Sequence, residues 1–389
     1  MERMPEQSVR REKILIVPDS FKETLSAAEV CRIVSEEAEA VLGDAEIRCI
    51  PIADGGEGSV DCFLQALGGT RQSVQVKGPL FDDVDAQYGI LPDGQTAVIE
   101  MAAAAGLPLT QGRQNPLLTT TFGVGQLIAD AVQKGCRRIL LGLGGSATND
   151  GGCGMAAALG VRFYDADGEE MLPLGGTLGE IDRIDCSDLF LPPDIRVTAL
   201  CDVTNPLYGE EGAAFVFAPQ KGADAQMTVL LDEGLRHLGE IMERDCSAAV
   251  TDLPGAGAAG GMGAGAVAFL GARFASGIDA VLEAVDFDRA LEGCTLVITG
   301  EGKVDAQSEC GKAIGGIAAR AKRKGVPVAV LTGNALGAEK SLYDAGVTAV
   351  FPIGRQPESF AQAALRSEEN LRSTARDMLR FWAAARRKG

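Results

Sequence analysis

The sequence predicts an α/β protein built from more than one lobe, and three observations predict it. Short apolar runs (KILIVP, VTALC, TLVIT, VPVAVLTG) alternate with longer amphipathic stretches, the order expected of parallel strands joined by crossover helices. Acidic or glycine-rich turns follow those runs, as at Asp19, Asp54, Asp202 and Gly300, and ligand sites of open α/β sheets lie at the carboxyl ends of strands. A turn-rich segment of short alternating runs, KGPLFDDVDAQYGILPDG, interrupts the pattern and marks entry into a second lobe.

Taken in order, KILIVP reads as a strand and SAAEVCRIVSEEAEAVLG as a helix, with Ser26 as its cap and Glu29 completing a capping box. The strand EIRCIPIA, the loop ADGGEG and the helix SVDCFLQALGG follow. Farther on, TFGVGQLIADAVQKG is an amphipathic helix and RRILLGLG a buried strand, after which GGSATNDGG opens into the helix CGMAAALG. Ser146, Thr148, Asn149 and Asp150 therefore sit at a strand-to-helix turn, where side chains and amides can meet an anion. Asp202 and Asn205 follow VTALC, and AAFVFAPQKGA brings Gln220 and Lys221 to a loop edge. PGAGAAGGMGAGAVAFLG packs a helix closely through small residues. The late order is TLVITGEGKVDAQS, the lysine-rich helix GKAIGGIAARAKRKG, the strand VPVAVLTG, a short helix and VTAVFPIG, which is α/β again.

Composition narrows the class. A chain of 389 residues with 46% hydrophobic residues buries a substantial core, and 50 glycines with only 16 prolines is neither collagenous nor disordered. A formal charge of -18 opposes nucleic acid and anionic membranes, while a local lysine cluster or Mg²⁺ still admits an anionic metabolite. Ten dispersed cysteines without a CxxC read as free thiols of a reducing compartment, and the single His237 excludes a histidine-rich metal site. The polar start lacks the apolar stretch of a secretory signal, and the Gly/Ala-rich stretch is a poor membrane span, so the expected location is the cytoplasm. Nothing in the sequence specifies an oligomer.

The chemistry read from these turns is metal-assisted phosphoryl transfer. Glycine-rich loops let backbone N–H groups approach phosphate, carboxylates hold Mg²⁺ and lysines neutralise charge. Asp19 with Lys22, and Glu301, Lys303 and Asp305 in TGEGKVD, are candidates for metal and phosphate, each weighed against a solvated turn or ion pair. Lys312 after Gly311 is a phosphate candidate or a helix-surface lysine; Asp54 in ADGGEG is a hydroxyl contact or a turn residue. Within GGSATNDGGCG the functional reading gives Ser146, Thr148 and Asn149 to substrate and Asp150 to metal or the attacking hydroxyl; the alternative is a satisfied helix start. Asp202 and Asn205 flank a proline-containing turn and are candidates for substrate contact. No GxxxxGK[ST] is present, and the GxGxxG at Gly255 to Gly260 follows Pro254 with no strand leading into it, a weak dinucleotide signal.

The ordered segments VPDSFKETLSA, PIADGGEG, GLGGSATNDGGCG, LCDVTNPLYG, FAPQKGA, LPGAGAAGGMG and ITGEGKVDAQSECGK resemble the bacterial glycerate kinase family, nearly from the first strand to VTAVFPIG. The resemblance implies ATP-dependent phosphorylation of D-glycerate, commonly at C2, to give 2-phosphoglycerate and ADP. It implies a Rossmann-like or flavodoxin-like lobe, expected at residues 1–80 and 280–389, with a second α/β lobe (81–279) inserted and the site in the cleft between them. In that setting Mg²⁺ on the ATP phosphates is assisted by some of Asp19, Asp150, Glu301 and Asp305, with Lys22, Lys221 and Lys303 offsetting negative charge. Asp202 or Asp150 orients or deprotonates glycerate, and Ser146, Thr148 and Asn149 recognise its carboxylate. Three alternatives stay open: transfer to the C3 hydroxyl, a nicotinamide-dependent hydroxy-acid oxidoreductase using GAGAAG, and a noncatalytic metabolite-binding module.

Overall fold

The structure, a computed structural model, describes residues 11–21, 24–52, 58–302, 312–333, 339–356 and 359–386. The chain divides into two compact units, residues 1–54 with 281–389, and residues 55–280. It begins in the first unit with β1 (Lys13–Pro18), α1 (Ala27–Leu42) and β2 (Glu46–Cys49). The second unit opens with α2 (Ser59–Leu67), β3 (Thr70–Lys77), β4 (Asp83–Ile90), β5 (Thr96–Glu100), α3 (Ala102–Ala105), α4 (Phe122–Gln133), β6 (Arg138–Gly142) and α5 (Cys153–Ala158). It continues through β7 (Arg162–Tyr164), β8 (Glu170–Met171), β9 (Arg183–Asp185), β10 (Arg196–Leu200), α6 (Ala213–Phe217), α7 (Ala225–Cys246), α8 (Ala258–Leu270) and β11 (Arg273–Ala275). After α9 (Gly277–Ala284) and α10 (Phe287–Ala290), the first unit is completed by β12 (Leu296–Glu301), α11 (Lys312–Arg323), β13 (Val328–Thr332), α12 (Glu339–Ala345), β14 (Ala349–Pro352), α13 (Phe360–Ala364) and α14 (Ser367–Arg386).

In the first unit, five parallel strands lie in the order β14-β13-β12-β1-β2. Counting only this unit's strands, the order is 2-1-3-4-5, the flavodoxin-like arrangement, whose switch point falls between β1 and β12. β12 is buried along its whole length, as a strand covered on both faces requires, which explains its continuous apolar run. Ser26 and Glu29 form the expected capping box at the start of α1, with Ser26 N donating to Glu29 Oε2 at 2.8 Å and Glu29 N to Ser26 Oγ at 3.3 Å. The core collects Ile14, Ile16, Val34, Ile298, Leu331 and Leu371.

The second unit carries a six-stranded sheet in the order β11-β10-β6-β5-β4-β3. The run β11 to β5 is parallel, β4 runs antiparallel to β5, and β3 runs antiparallel to β4. A three-stranded antiparallel sheet, β8-β7-β9, sits beside it. The chain crosses into this unit at 54–55, ahead of residue 80, because β3 pairs with β4 from Thr70↔Ile90 to Lys77↔Asp83. α8 is not continuous: Ala259, Gly260 and Gly261 all take left-handed backbone angles. Among the described residues no helix is long and apolar enough to cross a membrane.

Candidate functional site

Each unit presents polar residues at the carboxyl edge of its own parallel sheet. In the first, Pro18 of β1 is in register with Gly300 of β12, and Asp19 N donates to Gly300 O at 2.9 Å. Asp19 and Glu301 therefore leave neighbouring strands at the same level of the switch point, and only 6% and 7% of their surfaces are exposed. The Asp19 carboxylate accepts from Ser20 N at 2.6 Å. Gly300 is required by packing, since a Cβ there would lie 2.4 Å from Leu331 O. Magnesium is commonly held by one or two carboxylates completed by phosphate and water, so this oxygen pair suits it. Among the described residues no group of three or more His, Cys, Asp or Glu is placed to hold a metal. Lys22, Asp54, Lys303 and Asp305 lie outside the described residues, and Lys312 opens α11 with its side chain outside them.

In the second unit, β6 and β10 are adjacent, with Leu200 opposite Gly142, so their following turns emerge side by side. One carries Ser146 to Asp150 and the other Asp202 and Asn205, both half-buried. The Gly/Ala-rich segment packs against both turns. Gly257 N donates to Asn205 O and Gly151 N to Gly260 O, and a Cβ at Gly260 would lie 2.0 Å from Thr148 O. These glycines serve close backbone packing, which removes the dinucleotide reading of GAGAAG. The Asn205 amide is engaged by Glu211 O at 2.8 Å.

Asp150 differs from its expected role at an open site. Its carboxylate is fully buried, and Oδ2 accepts from Thr121 N (2.7 Å), Thr121 Oγ1 (2.8 Å) and Gly154 N (3.2 Å) while Oδ1 accepts from Gly152 N (3.2 Å). Burial pushes its carboxyl above the ordinary value and those donors oppose the shift. Thr121 Oγ1 also accepts from Met155 N at 2.8 Å, and Thr119 Oγ1 donates to Ala147 O at 2.9 Å. Thr119, Thr120 and Thr121, all buried, were not singled out from the sequence. The available signal was three consecutive hydroxyls ahead of an amphipathic helix, where a buried helix start needs partners.

Lys221 is likewise not at an exposed loop edge. It ends a short 3-10 turn, is 2% exposed, and its Nζ donates to Ser146 Oγ at 2.8 Å and Thr148 O at 2.7 Å. Burial pushes its ammonium down to about 7, and the charge of Asp150 opposes that shift. In the same turn, Thr148 Oγ1 and both amide atoms of Asn149 are buried with no hydrogen-bond partner among the described residues. His237 Nε2 lies 2.6 Å from Ile181 O on the flank of α7.

Comparison with known proteins follows the same lines. The profile of the glycerate kinase family matches residues 14–383. A protein named glycerate kinase from Bacillus cereus is 46% identical over 97% of this chain and 99% of its own length. Glycerate 2-kinase from Escherichia coli K12 is 44% identical over 93% of this chain and 97% of its own. A crystal structure from Salmonella typhimurium LT2, of a protein assigned as glycerate kinase 2, superposes with a TM-score of 0.89 at 42% identity, covering 97% of this chain and all of that one.

Proposed function

The chain belongs to the glycerate kinase family, and from that premise we propose that it transfers the terminal phosphoryl group of ATP to the C2 hydroxyl of D-glycerate, releasing ADP and 2-phosphoglycerate. One observation carries the choice of C2, the likeness over nearly the whole chain to a relative named glycerate 2-kinase. The residues present suit such a reaction. Asp19 and Glu301 would hold Mg²⁺, which when bound neutralises charge on the ATP phosphates. Asp305 is a further candidate for that ion, and Lys22, Lys303 and Lys312 are candidates to offset phosphate charge. Asp202, half-buried at the end of β10, is the candidate to orient or accept the proton of the glycerate hydroxyl, with Asn205 and Asp54 as further substrate contacts. Asp150 acts as a positioning residue: its carboxylate is committed to Thr121, Gly152 and Gly154, which fixes the turn bearing Ser146, Thr148 and Asn149. The expected place of action is the cytoplasm.

Phosphorus NMR of the purified chain with Mg²⁺, ATP and D-glycerate tests the reading. Enzyme-dependent 2-phosphoglycerate is the expected product. 3-Phosphoglycerate would keep the kinase and overturn the position of transfer, and no phosphorylated acid from folded protein would remove the activity.

A further inference from the structure

The buried cluster around Lys221 is short of hydrogen-bond partners among the described residues. The ammonium donates two of its three N–H bonds, to Ser146 Oγ and Thr148 O, and among the described residues it has no ion-pair partner. The charge that acts on it is that of Asp150, whose oxygens are already taken by Thr121, Gly152 and Gly154. Thr148 Oγ1, Asn149 Nδ2 and Asn149 Oδ1 sit buried in the same turn as Ser146, without partners among those residues. Three orphaned polar atoms on the segment that receives the Lys221 ammonium are unfavourable in a folded protein unless a ligand completes them.

We propose that Lys221, Thr148 and Asn149 form the pocket for the carboxylate of the organic-acid substrate, so that Lys221 selects the acid and does not serve the nucleotide. The donors match: the free N–H of Lys221, the Thr148 hydroxyl and the Asn149 amide N–H₂ all suit a carboxylate. Asn149 Oδ1 remains as an acceptor for a hydroxyl on the same small molecule. Enclosure decides against the nucleotide. Lys221, Thr148 and Asn149 are enclosed, and a triphosphate would bring several charges that such a site cannot desolvate. Ser146, which accepts from Lys221, is half-buried and the Gly144–Gly145 turn before it is exposed.

The inference rests on the glycerate-kinase reading, and binding measurements separate the two. Calorimetry would compare D-glycerate, glyceramide and the magnesium complex of a non-hydrolysable ATP analogue on the wild type, Lys221→Met and Asn149→Ala. Glycerate affinity is expected to fall about 30-fold or more in K221M and about tenfold in N149A, with nucleotide affinity changed less than about threefold. Asn149→Ala removes no hydrogen bond within the protein, so it stays informative if K221M fails to fold. Glyceramide, without the charge, is expected to bind the wild type about as poorly as glycerate binds K221M. Unchanged glycerate affinity in both folded variants, or a loss confined to the nucleotide, would overturn the carboxylate pocket while leaving the kinase intact. A wild type that neither binds nor phosphorylates glycerate would remove the kinase reading, and the pocket's assigned ligand with it.

Discussion

Asp150 shows how a carboxylate in a glycine-rich turn can be wholly engaged by its own fold. Its motif, GGSATNDGG, has an acidic residue where a metal ligand or base is expected, yet the carboxylate is enclosed and held by the Thr121 and glycine donors. Replacing it with asparagine sets an N–H₂ group against backbone N–H groups of Thr121, Gly152 or Gly154, which can only donate, so Asp150→Asn should lower stability by about 2–3 kcal/mol in denaturant unfolding. A variant of normal stability with lost turnover would return Asp150 to direct chemistry. Asp150 was legible in the sequence as an acidic turn residue, and its enclosure was not. A donor that encloses it, Thr121, lies 29 positions away.

At the scale of elements, the packing of α1 on α14 turns on Glu37, which is 3% exposed and receives Arg376 Nε at 2.6 Å and Arg372 Nη1 at 3.0 Å. The Arg376 hydrogen bond is the larger cause holding the Glu37 carboxyl below its ordinary value of 4.5, with burial opposing and Arg372 adding. A depressed carboxyl contributes stability that is full above its unfolded value and is lost as pH falls through the folded value. Glu37→Gln should therefore cost about 1–2 kcal/mol at neutral pH, a difference from wild type that shrinks below about pH 4.5. A pH-independent difference in urea midpoints would show that the loss comes from packing instead. Local signals made α1 readable, since its capping box and apolar stripe lie within 16 residues. The break in α8 was hidden, because Gly260 is called for by Thr148 O, a contact made only after folding.

For the whole molecule, the charge of -18 places most surface groups in a field of like sign. Raising sodium chloride from about 10 to about 150 mM shortens the screening length from about 30 to about 8 Å, so the thermal midpoint should rise. A falling midpoint would mean that exposed ion pairs outweigh self-repulsion. The α/β class and its parallel strands were readable from alternating periodicity. The assignment of β3 to the second unit was not, because strand pairing depends on a partner's register.

By itself the sequence determined where strands and helices begin, which turns carry acidic and hydroxyl residues, and the family to which those ordered turns belong. These are local properties, written within a few residues by periodicity, capping and turn chemistry. Tertiary structure alone decided that Asp19 and Glu301 share a switch point, that Asp150 faces inward, and that Lys221 is buried against Ser146 and Thr148, 75 and 73 positions away. A buried charge is defined by what surrounds it, and its surroundings here come from segments that meet only when the sheet edges are assembled.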